Sequence, residues 1–303
     1  MQQYLNLLTD ILENGETHDD RTGVGTLSVF GRQIRFDLRQ GFPLMTTKKI
    51  PMRWIFEELK WFLSGSTYEP DLAAKGVDIW KEWATKEKCA EFGRPEGNLG
   101  PVYGSLWRSF GGNMFDHGPG TKQAYTQGVD QIAELLVDLT ETPDSRRLIV
   151  TGWNPSTQRQ VALPPCHTLF QFKVHPGNFE YSVRDISCHL YARSIDAFLG
   201  LPFNIASYAL LLEMIALVTG LKPRELIISF GDVHIYRNHL QAVYTQLTRP
   251  PLQLPRLTID EDWDLDEGVD DTPLNRLLGL TWSDVSLKGY DNPYASIKAP
   301  VAV

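Results

Sequence analysis

Apolar residues recur at helical spacing in several stretches of the chain. Leu5, Leu8, Ile11 and Leu12 mark one face of residues 2–14, and Asn14-Gly15 ends the run, which predicts an N-terminal helix. Strand patterns over 27–30 and 33–38 follow, closed by Gly41-Phe42-Pro43. Between 53 and 64, Trp54, Ile55, Leu59, Phe62 and Leu63 return at helical intervals. On that wheel Glu58 falls beside Ile55 and Phe62, whereas Glu57 points elsewhere. A carboxylate on an apolar face either pairs with a cation or has a raised pKa and handles protons. Further on, 99–104 reads as a turn presenting Tyr103, 129–139 as an amphipathic helix, and 148–153, 168–174, 179–194 and 226–230 as strands. Residues 203–218 are apolar nearly all round, the mark of a buried helix, with Asn204 at its N-cap position.

The segments between are polar. Residues 86–98 read as a charged surface insertion, 111–121 as a glycine-rich mobile loop, and 258–274 as an acidic, solvated surface segment. The final residues are apolar and are expected to pack onto something. No repeat or low-complexity linker separates two halves, so the expected architecture is α+β, one domain over residues 1–303 with a substantial sheet.

Composition narrows the partners. With 42% apolar and 11% aromatic residues the chain can bury a sizeable core, and its formal net charge of −8 gives no general attraction to nucleic acid or anionic membrane. An anion site must then be a local arginine cluster. The N-terminus lacks a basic leader before a long apolar run, and the apolar run at 208–220 is interrupted by Glu213 and is short for a bilayer. Three widely spaced cysteines, Cys89, Cys166 and Cys188, fit a reduced, cytoplasmic compartment.

Several groups could carry chemistry. Arg21 opens a loop with Gly23 and Gly25, which otherwise reads as a plain turn into the next strand. Arg146-Arg147 stands at a strand mouth, where two guanidinium forks suit a doubly charged oxyanion. Trp80 and Trp83 are either core or the wall of a pocket for a flat ligand. Pro165-Cys166-His167 offers a thiol, although a buried structural thiol is the blander reading and strand neighbours point to opposite faces. The chain has no P-loop, dinucleotide fingerprint or metal triad. Covalent catalysis by a thiolate on an anionic, planar substrate is the sharp hypothesis that remains.

With these residues in view the chain resembles the thymidylate synthase family, whose relatives include pyrimidine hydroxymethylases. The matching motifs are Asp20-Arg21-Thr-Gly-x-Gly-Thr, Gly41-Phe-Pro-Leu-x-Thr-Thr-Lys48, Glu58-x-x-Trp-Phe-Leu-x-Gly, Leu99-Gly-Pro-Val-Tyr-Gly104, Asp144-Ser-Arg-Arg147, Pro165-Cys-His167, Arg193-Ser-x-Asp196, Leu199-Gly-Leu-Pro-Phe-Asn204, Gly231-Asp-x-His-x-Tyr236 and the tail from Lys298 to Val303. The resemblance implies a large mixed sheet that forms the interface of a homodimer. It also implies methylation of dUMP to dTMP, with 5,10-methylenetetrahydrofolate as cosubstrate and no metal.

By the same resemblance Cys166 is the nucleophile that adds at pyrimidine C6, with His167 beside it among the catalytic groups. Glu58 relays protons, and Tyr103 assists removal of the C5 proton. Arg21, Arg193, Ser194 and the pair Arg146 and Arg147, the pair reaching across from the second subunit, bind the substrate phosphate. Asn204 reads the N3 and O4 edge of uracil, a task suited to an amide that both donates and accepts. His234 and Tyr236 contact the deoxyribose. Asp196, also counted as catalytic, binds the pterin, while Ile79, Trp80, Leu199, Gly200 and Phe203 wall the folate and Ala302 lies in the tail that closes over it.

The chain departs from the family pattern in three places: Tyr68 stands where Asn is usual, Ala192 where Gln is usual, and Pro51 at a position that is often His. These departures keep a hydroxymethylase making 5-hydroxymethyl-dUMP as an alternative, and a non-catalytic nucleotide-binding protein of the same fold as a more distant one.

Overall fold

The computed structural model describes all residues except 21, 116–123, 127, 178–181, 261–264, 266–267, 292–293 and 302–303. In chain order the elements are α1 (Gln2–Asn14), β1 (Glu16–His18), β2 (Thr26–Asp37), α2 (Met52–Leu63), α3 (Glu69–Ala73), α4 (Lys86–Ala90), α5 (Tyr103–Arg108), β3 (Asn113–Phe115), β4 (Ala124–Thr126), α6 (Gln131–Glu141), β5 (Ile149–Thr151), β6 (His167–Val174), β7 (Asp185–Asp196), α7 (Gly200–Val218), β8 (Lys222–Tyr236), α8 (Leu240–Leu247), β9 (Arg256–Ile259), α9 (Pro273–Gly279) and β10 (Val285–Lys288). The class is α+β, with six strands in a large mixed sheet.

Two compact units share the chain: Met1–Met52, His175–Asp262 and Ser283–Val303 form unit one, Arg53–Val174 and Trp263–Trp282 unit two. Unit one holds four sheet strands in the order β1-β2-β8-β7, with β2 antiparallel and β7 parallel to β8. α1 packs on β2, and α7 packs on β7 and β8. α7 is apolar all round because it is enclosed: thirteen of its nineteen residues are buried, from Leu201 to Ala216. At that length it would satisfy the size requirement for a membrane span, contrary to expectation from the shorter 208–220 run, but 72% of its apolar window is covered by protein.

Alternation along the long strands explains how they present polar groups. In β8 the buried apolar residues are Leu226, Ile228 and Phe230 and then, with the parity switched, Val233 and Ile235. β7 switches likewise between Ala192 and Ile195, and β2 between Val29 and Ile34. The switch lies at one level of the sheet, beside Gly31, Gly231 and Arg193, because Phe30 faces Asp232, Phe230 faces both Arg32 and Ala192, and Ser194 faces Asp232. Beyond it, Ser194, Asp196, Asp232, His234 and Tyr236 share the face turned away from Val233 and Ile235.

Gly31 has φ of 73°, a left-handed conformation that disfavours any side chain. Gly231 is constrained differently: a Cβ there would lie 2.6 Å from the Arg193 carbonyl oxygen and 3.1 Å from the Tyr191 hydroxyl. The kink absorbs what the sequence pattern divides into separate strands, so 27–30 and 33–38 are one strand and 226–230 is the middle of another.

Unit two is mainly helical. α2, α5, α6 and the antiparallel β5–β6 pair enclose an aromatic core of Trp61, Phe62, Trp80, Tyr103, Trp107 and Phe170. Asp130 caps α6 by accepting from the Ala133 N–H at 3.0 Å and clamps Arg108 of α5 through contacts of 2.7 to 3.0 Å. The acidic 258–274 segment is only partly the solvated surface expected. Its start is β9, Thr272 caps α9, and the Leu277 and Leu278 carbonyls of α9 accept from Lys60 of α2. Five of its acidic residues, Glu261, Asp262, Asp264, Asp266 and Glu267, lie outside the described residues, as does most of the 111–121 loop.

Replacing Gly231 by Ala should force its backbone off Arg193 and destabilise the protein by about 1–3 kcal/mol. Urea unfolding of the variant measures this, and an unchanged midpoint would count against the close approach as a constraint.

Candidate active site

The expected functional side chains fall into two sets, one in each unit. In unit two, the wheel position of Glu58 proves to be a buried one. The side chain of Glu57 stays part-exposed beside Arg53 at 3.6 Å, while Glu58 turns into the aromatic core. There the Trp80 indole N–H donates to Glu58 Oε1 at 2.7 Å. Burial raises the Glu58 carboxyl to about 7, and the indole hydrogen bond only partly opposes that rise. Trp80 is held on its other sides by Trp61, Phe62, Trp83 and Tyr103, with ring centroids 5.8 to 6.1 Å apart. It is thus core and pocket wall together, and Ile79 next to it is part-exposed.

Tyr103 is the first residue of α5, not the tip of a turn. Its ring is buried 4.9 Å from Phe62 and 5.1 Å from His167. Its hydroxyl oxygen accepts the Cys166 N–H at 2.8 Å and the His167 N–H at 3.3 Å. The one hydroxyl oxygen thus serves two successive backbone amides. The peptide carrying Cys166 is therefore fixed from outside its own strand. Cys166 is part-exposed just before β6, with Sγ 4.0 Å from the Pro164 carbonyl oxygen. The other two thiols differ: Cys89 and Cys188 are buried, and burial pushes both up. Position thus separates Cys166 from the structural thiols. Arg146 and Arg147 precede β5 with exposed side chains.

In unit one, Asp196 ends β7. Its Oδ1 accepts from the Phe198 and Leu199 N–H groups at 2.8 and 3.1 Å. Burial would raise this carboxyl, but His239 and the two amides outweigh it and hold Asp196 below the usual range. His239 Nδ1 stands 3.8 Å from Asp196 Oδ2, an ion-pair distance too long for a hydrogen bond. Its Nε2–H donates to the Pro300 carbonyl at 2.7 Å, which ties the C-terminal segment to this carboxylate. The expectation that the tail packs onto something holds as far as Pro300. Val301 is exposed, and Ala302 lies outside the described residues.

Asn204 does not occupy an N-cap. α7 begins at Gly200, with Leu199 before it, which places Asn204 one turn inside the helix. Its Oδ1 would lie 3.7 Å from a Cβ at Gly200, so the two positions and Asp196 adjoin. The amide makes no hydrogen bond among the described residues, leaving donor and acceptor for a ligand. Phe203, Leu199 and Gly200 are part-exposed around it, as are Arg193 and Ser194 on β7. His234 Nδ1 pairs with Asp232 Oδ1 at 2.6 Å and packs edge-on against Tyr236 at 5.1 Å. Arg21 lies outside the described residues.

Three groups escaped the sequence reading. Asp232 shares a face with His234 two residues on, a signal that strand alternation carried. His239 gives no local signal, because its partners Asp196 and Pro300 are remote in sequence. Lys48, known from the sequence only as the end of a motif, is buried, with Nζ donating to the Phe198 carbonyl and 3.6 Å from that ring's centroid. Burial lowers it to about 7, opposed by Asp196. Among the described residues no group of three His, Cys, Asp or Glu side chains converges as a metal site would require.

The folded-state pKa of Glu58 lies above its unfolded value, so the native protein holds an extra proton and loses stability as pH rises from about 4.5 to about 7. Glu58→Gln removes that slope. Relative to the parent it should gain on the order of 2 kcal/mol between pH 5 and pH 8 in denaturant titrations. Equal differences at both pH values would contradict a protonated, buried carboxyl.

Residues 2–303 match the family model described as thymidylate synthase. A match over essentially the whole length, on a chain that sets Cys166 on the Tyr103 hydroxyl and buries Glu58 against Trp80, assigns the family: the chain belongs to the thymidylate synthase family.

Proposed function

We propose that the protein methylates dUMP to dTMP through a covalent bond between Cys166 Sγ and pyrimidine C6. The observation that carries this reading is the double hydrogen bond from the Cys166 and His167 amides to Tyr103. It sets a part-exposed thiol beside a phenol able to take part in proton movement at the adjacent carbon.

Addition of the thiolate at C6 turns C5 into an enolate carbon, which is then nucleophilic. Methylenetetrahydrofolate supplies the one-carbon unit and the hydride, leaving as dihydrofolate. The fit of this chain to it rests on Asp196, an ionised and part-exposed carboxylate that suits the N–H donors of a pterin, and on Trp80 as an aromatic wall. The remaining steps belong to the chain's own residues. Glu58, titrating near neutrality, passes protons toward O4, and Tyr103 assists loss of the C5 proton. Asn204 offers one donor and one acceptor to the O4 and N3–H of uracil. Arg193 and Ser194, with Arg21, take the phosphate, and His234 and Tyr236 the sugar hydroxyl. β-Elimination of Cys166 from C6 then releases the product.

The same reading includes a homodimer in a reduced, cytoplasmic compartment. Support for the dimer comes from Phe30 of β2, 78% exposed on a sheet strand, from exposed Tyr191 of β7, and from Arg146 and Arg147, which point into solvent and are free to serve a second subunit. The reading takes hydride transfer over hydration because Trp80, held by its hydrogen bond and ring contacts, is a rigid wall suited to shielding a methylene group at C5.

Incubation with dUMP and methylenetetrahydrofolate should give a nucleotide heavier by one methylene unit, together with dihydrofolate, by mass spectrometry. A hydroxymethyl product with tetrahydrofolate would overturn the assignment in favour of the hydroxymethylase. Cys166→Ser should lower turnover by at least ~10³-fold while dUMP still binds by calorimetry. Near-normal activity in that variant would remove the covalent mechanism.

A further inference from the structure

The charged insertion at 86–98 has no part in the chemistry above, yet it is built to hold one side chain in place. Thr85 caps α4 through the Lys88 N–H, and Cys89 anchors the helix inward. The chain then turns back: the Arg94 N–H donates to the Cys89 carbonyl at 3.0 Å and the Gly97 N–H to the Ala84 carbonyl at 2.9 Å. Gly97, with φ of 83°, lies against Tyr68, where a Cβ would come within 2.8 Å of the ring. Asn98 Oδ1 accepts the Gly100 N–H at 2.9 Å.

From this frame the Arg94 side chain runs along the backbone at Gly100. A Cβ at that glycine would sit 2.5 Å from the guanidinium carbon. At its far end Nη1 donates to the carbonyl oxygen of Gln160.

Gln160 belongs to the connection between β5 and β6 that ends at Cys166. Asn154, Thr157 and Gln160 of this connection line a half-open cavity of about 540 Å³ together with Arg94, Asn98 and Ser105. On that side the connection borders open space rather than packed side chains. The stretch 94–103 grips it at two points, Arg94 at Gln160 and Tyr103 at Cys166.

We infer that Arg94 is a positioning residue for Cys166: its guanidinium holds the Gln160 carbonyl at the cavity and, with Tyr103, fixes the path of the loop that carries the thiol. The consequence for turnover rests on the covalent reading above; the consequence for the loop does not. A planar guanidinium suits the task because its donors are fixed relative to one another, so a carbonyl bound to one of them is held in direction as well as distance. A thiol that must approach one face of a pyrimidine carbon depends on such direction.

The test compares Arg94→Gln, Arg94→Lys and, as a control on the same insertion, Lys88→Gln, which breaks only the surface pair of Lys88 and Glu91 at 3.3 Å. Three readings are taken: amide hydrogen exchange over 157–166, the rate of iodoacetamide labelling at Cys166 without ligands, and kcat and KM for dUMP. Arg94→Gln should speed exchange by roughly fivefold or more and change the labelling rate. It should lower kcat on the order of tenfold and leave KM within about twofold. Arg94→Lys should fall between, and Lys88→Gln should match the parent. Unchanged exchange and labelling in Arg94→Gln would overturn the tether. Faster exchange with unchanged labelling and kcat would reduce Arg94 to a structural contact. If the parent itself yields no methyl product, the proposed reaction fails, and exchange with labelling still decides the tether.

Discussion

Unit two is organised around one unfavourable burial. Glu58 occupies an apolar helix face with an indole N–H as its hydrogen-bond donor. A neutral hydrogen bond contributes about 1 kcal/mol net, whereas burying an ionised carboxylate costs several times more, so the proton stays on until pH is near neutral. The arrangement needs a wall that excludes water without supplying a cation. Phe62, Trp80, Tyr103 and Trp107 form it edge to face, and that packing also fixes Tyr103, whose oxygen holds the peptide of Cys166. The raised pKa of Glu58 and the placement of the Cys166 peptide therefore rest on the same set of rings. A change that loosens Phe62 would disturb both.

Asp196 shows the opposite treatment of the same functional group. It too is largely covered, though part-exposed, but backbone N–H groups from Phe198 and Leu199 and the His239 ring favour its charge, and it stays ionised where Glu58 stays protonated. Two carboxyls whose environments push them apart can serve as acid and as fixed anion at one pH. His239 extends the contrast to the C-terminal segment: its Nε2–H reaches the Pro300 carbonyl, and burial, which would lower this imidazole, is outweighed by Asp196 and that carbonyl. The charge state of this corner and the seating of the tail are thereby linked.

What the sequence made legible follows from which forces are local. Glu58 could be placed on the buried face because helical periodicity is a property of a dozen neighbouring residues. The N-terminal helix and α6 were readable for the same reason. Asn204 lies a turn deeper in α7 than its pattern indicates, because the apolar run begins at Phe203 while α7 accepts Gly200 and Pro202 in its first turn, where proline has no hydrogen bond to lose. Gly100-Pro101 is strong punctuation and makes Tyr103 look like a turn residue; α5 is six residues long and is held by the packing of Tyr103 on Phe62 and His167 and of Trp107 on Phe170, which no local window contains. Cys166 was ambiguous on local grounds, since its partner is sixty-three residues away. The roles of Arg193, His234 and the paired arginines came from the family motif alone, because spacing along a strand says which face a side chain takes but not what meets it.

Trp80 bears on the choice between hydride and water. An indole that only packs can rotate when a ligand arrives, but this one is fixed at the nitrogen by Glu58 and on its faces and edges by four rings. Indole nitrogen is a donor whichever protonation state Glu58 adopts, so the carboxyl can lose and regain its proton without releasing the ring. On the proposed reading, the wall that keeps water from C5 remains in place through the proton transfers it borders. Ala192 does not weaken that wall by its own packing: its methyl is fully buried in β7 opposite Phe230 and leaves no exposed gap. On the proposed reading, what the missing amide removes is a polar partner for the base, a change in hydrogen bonding and not in packing.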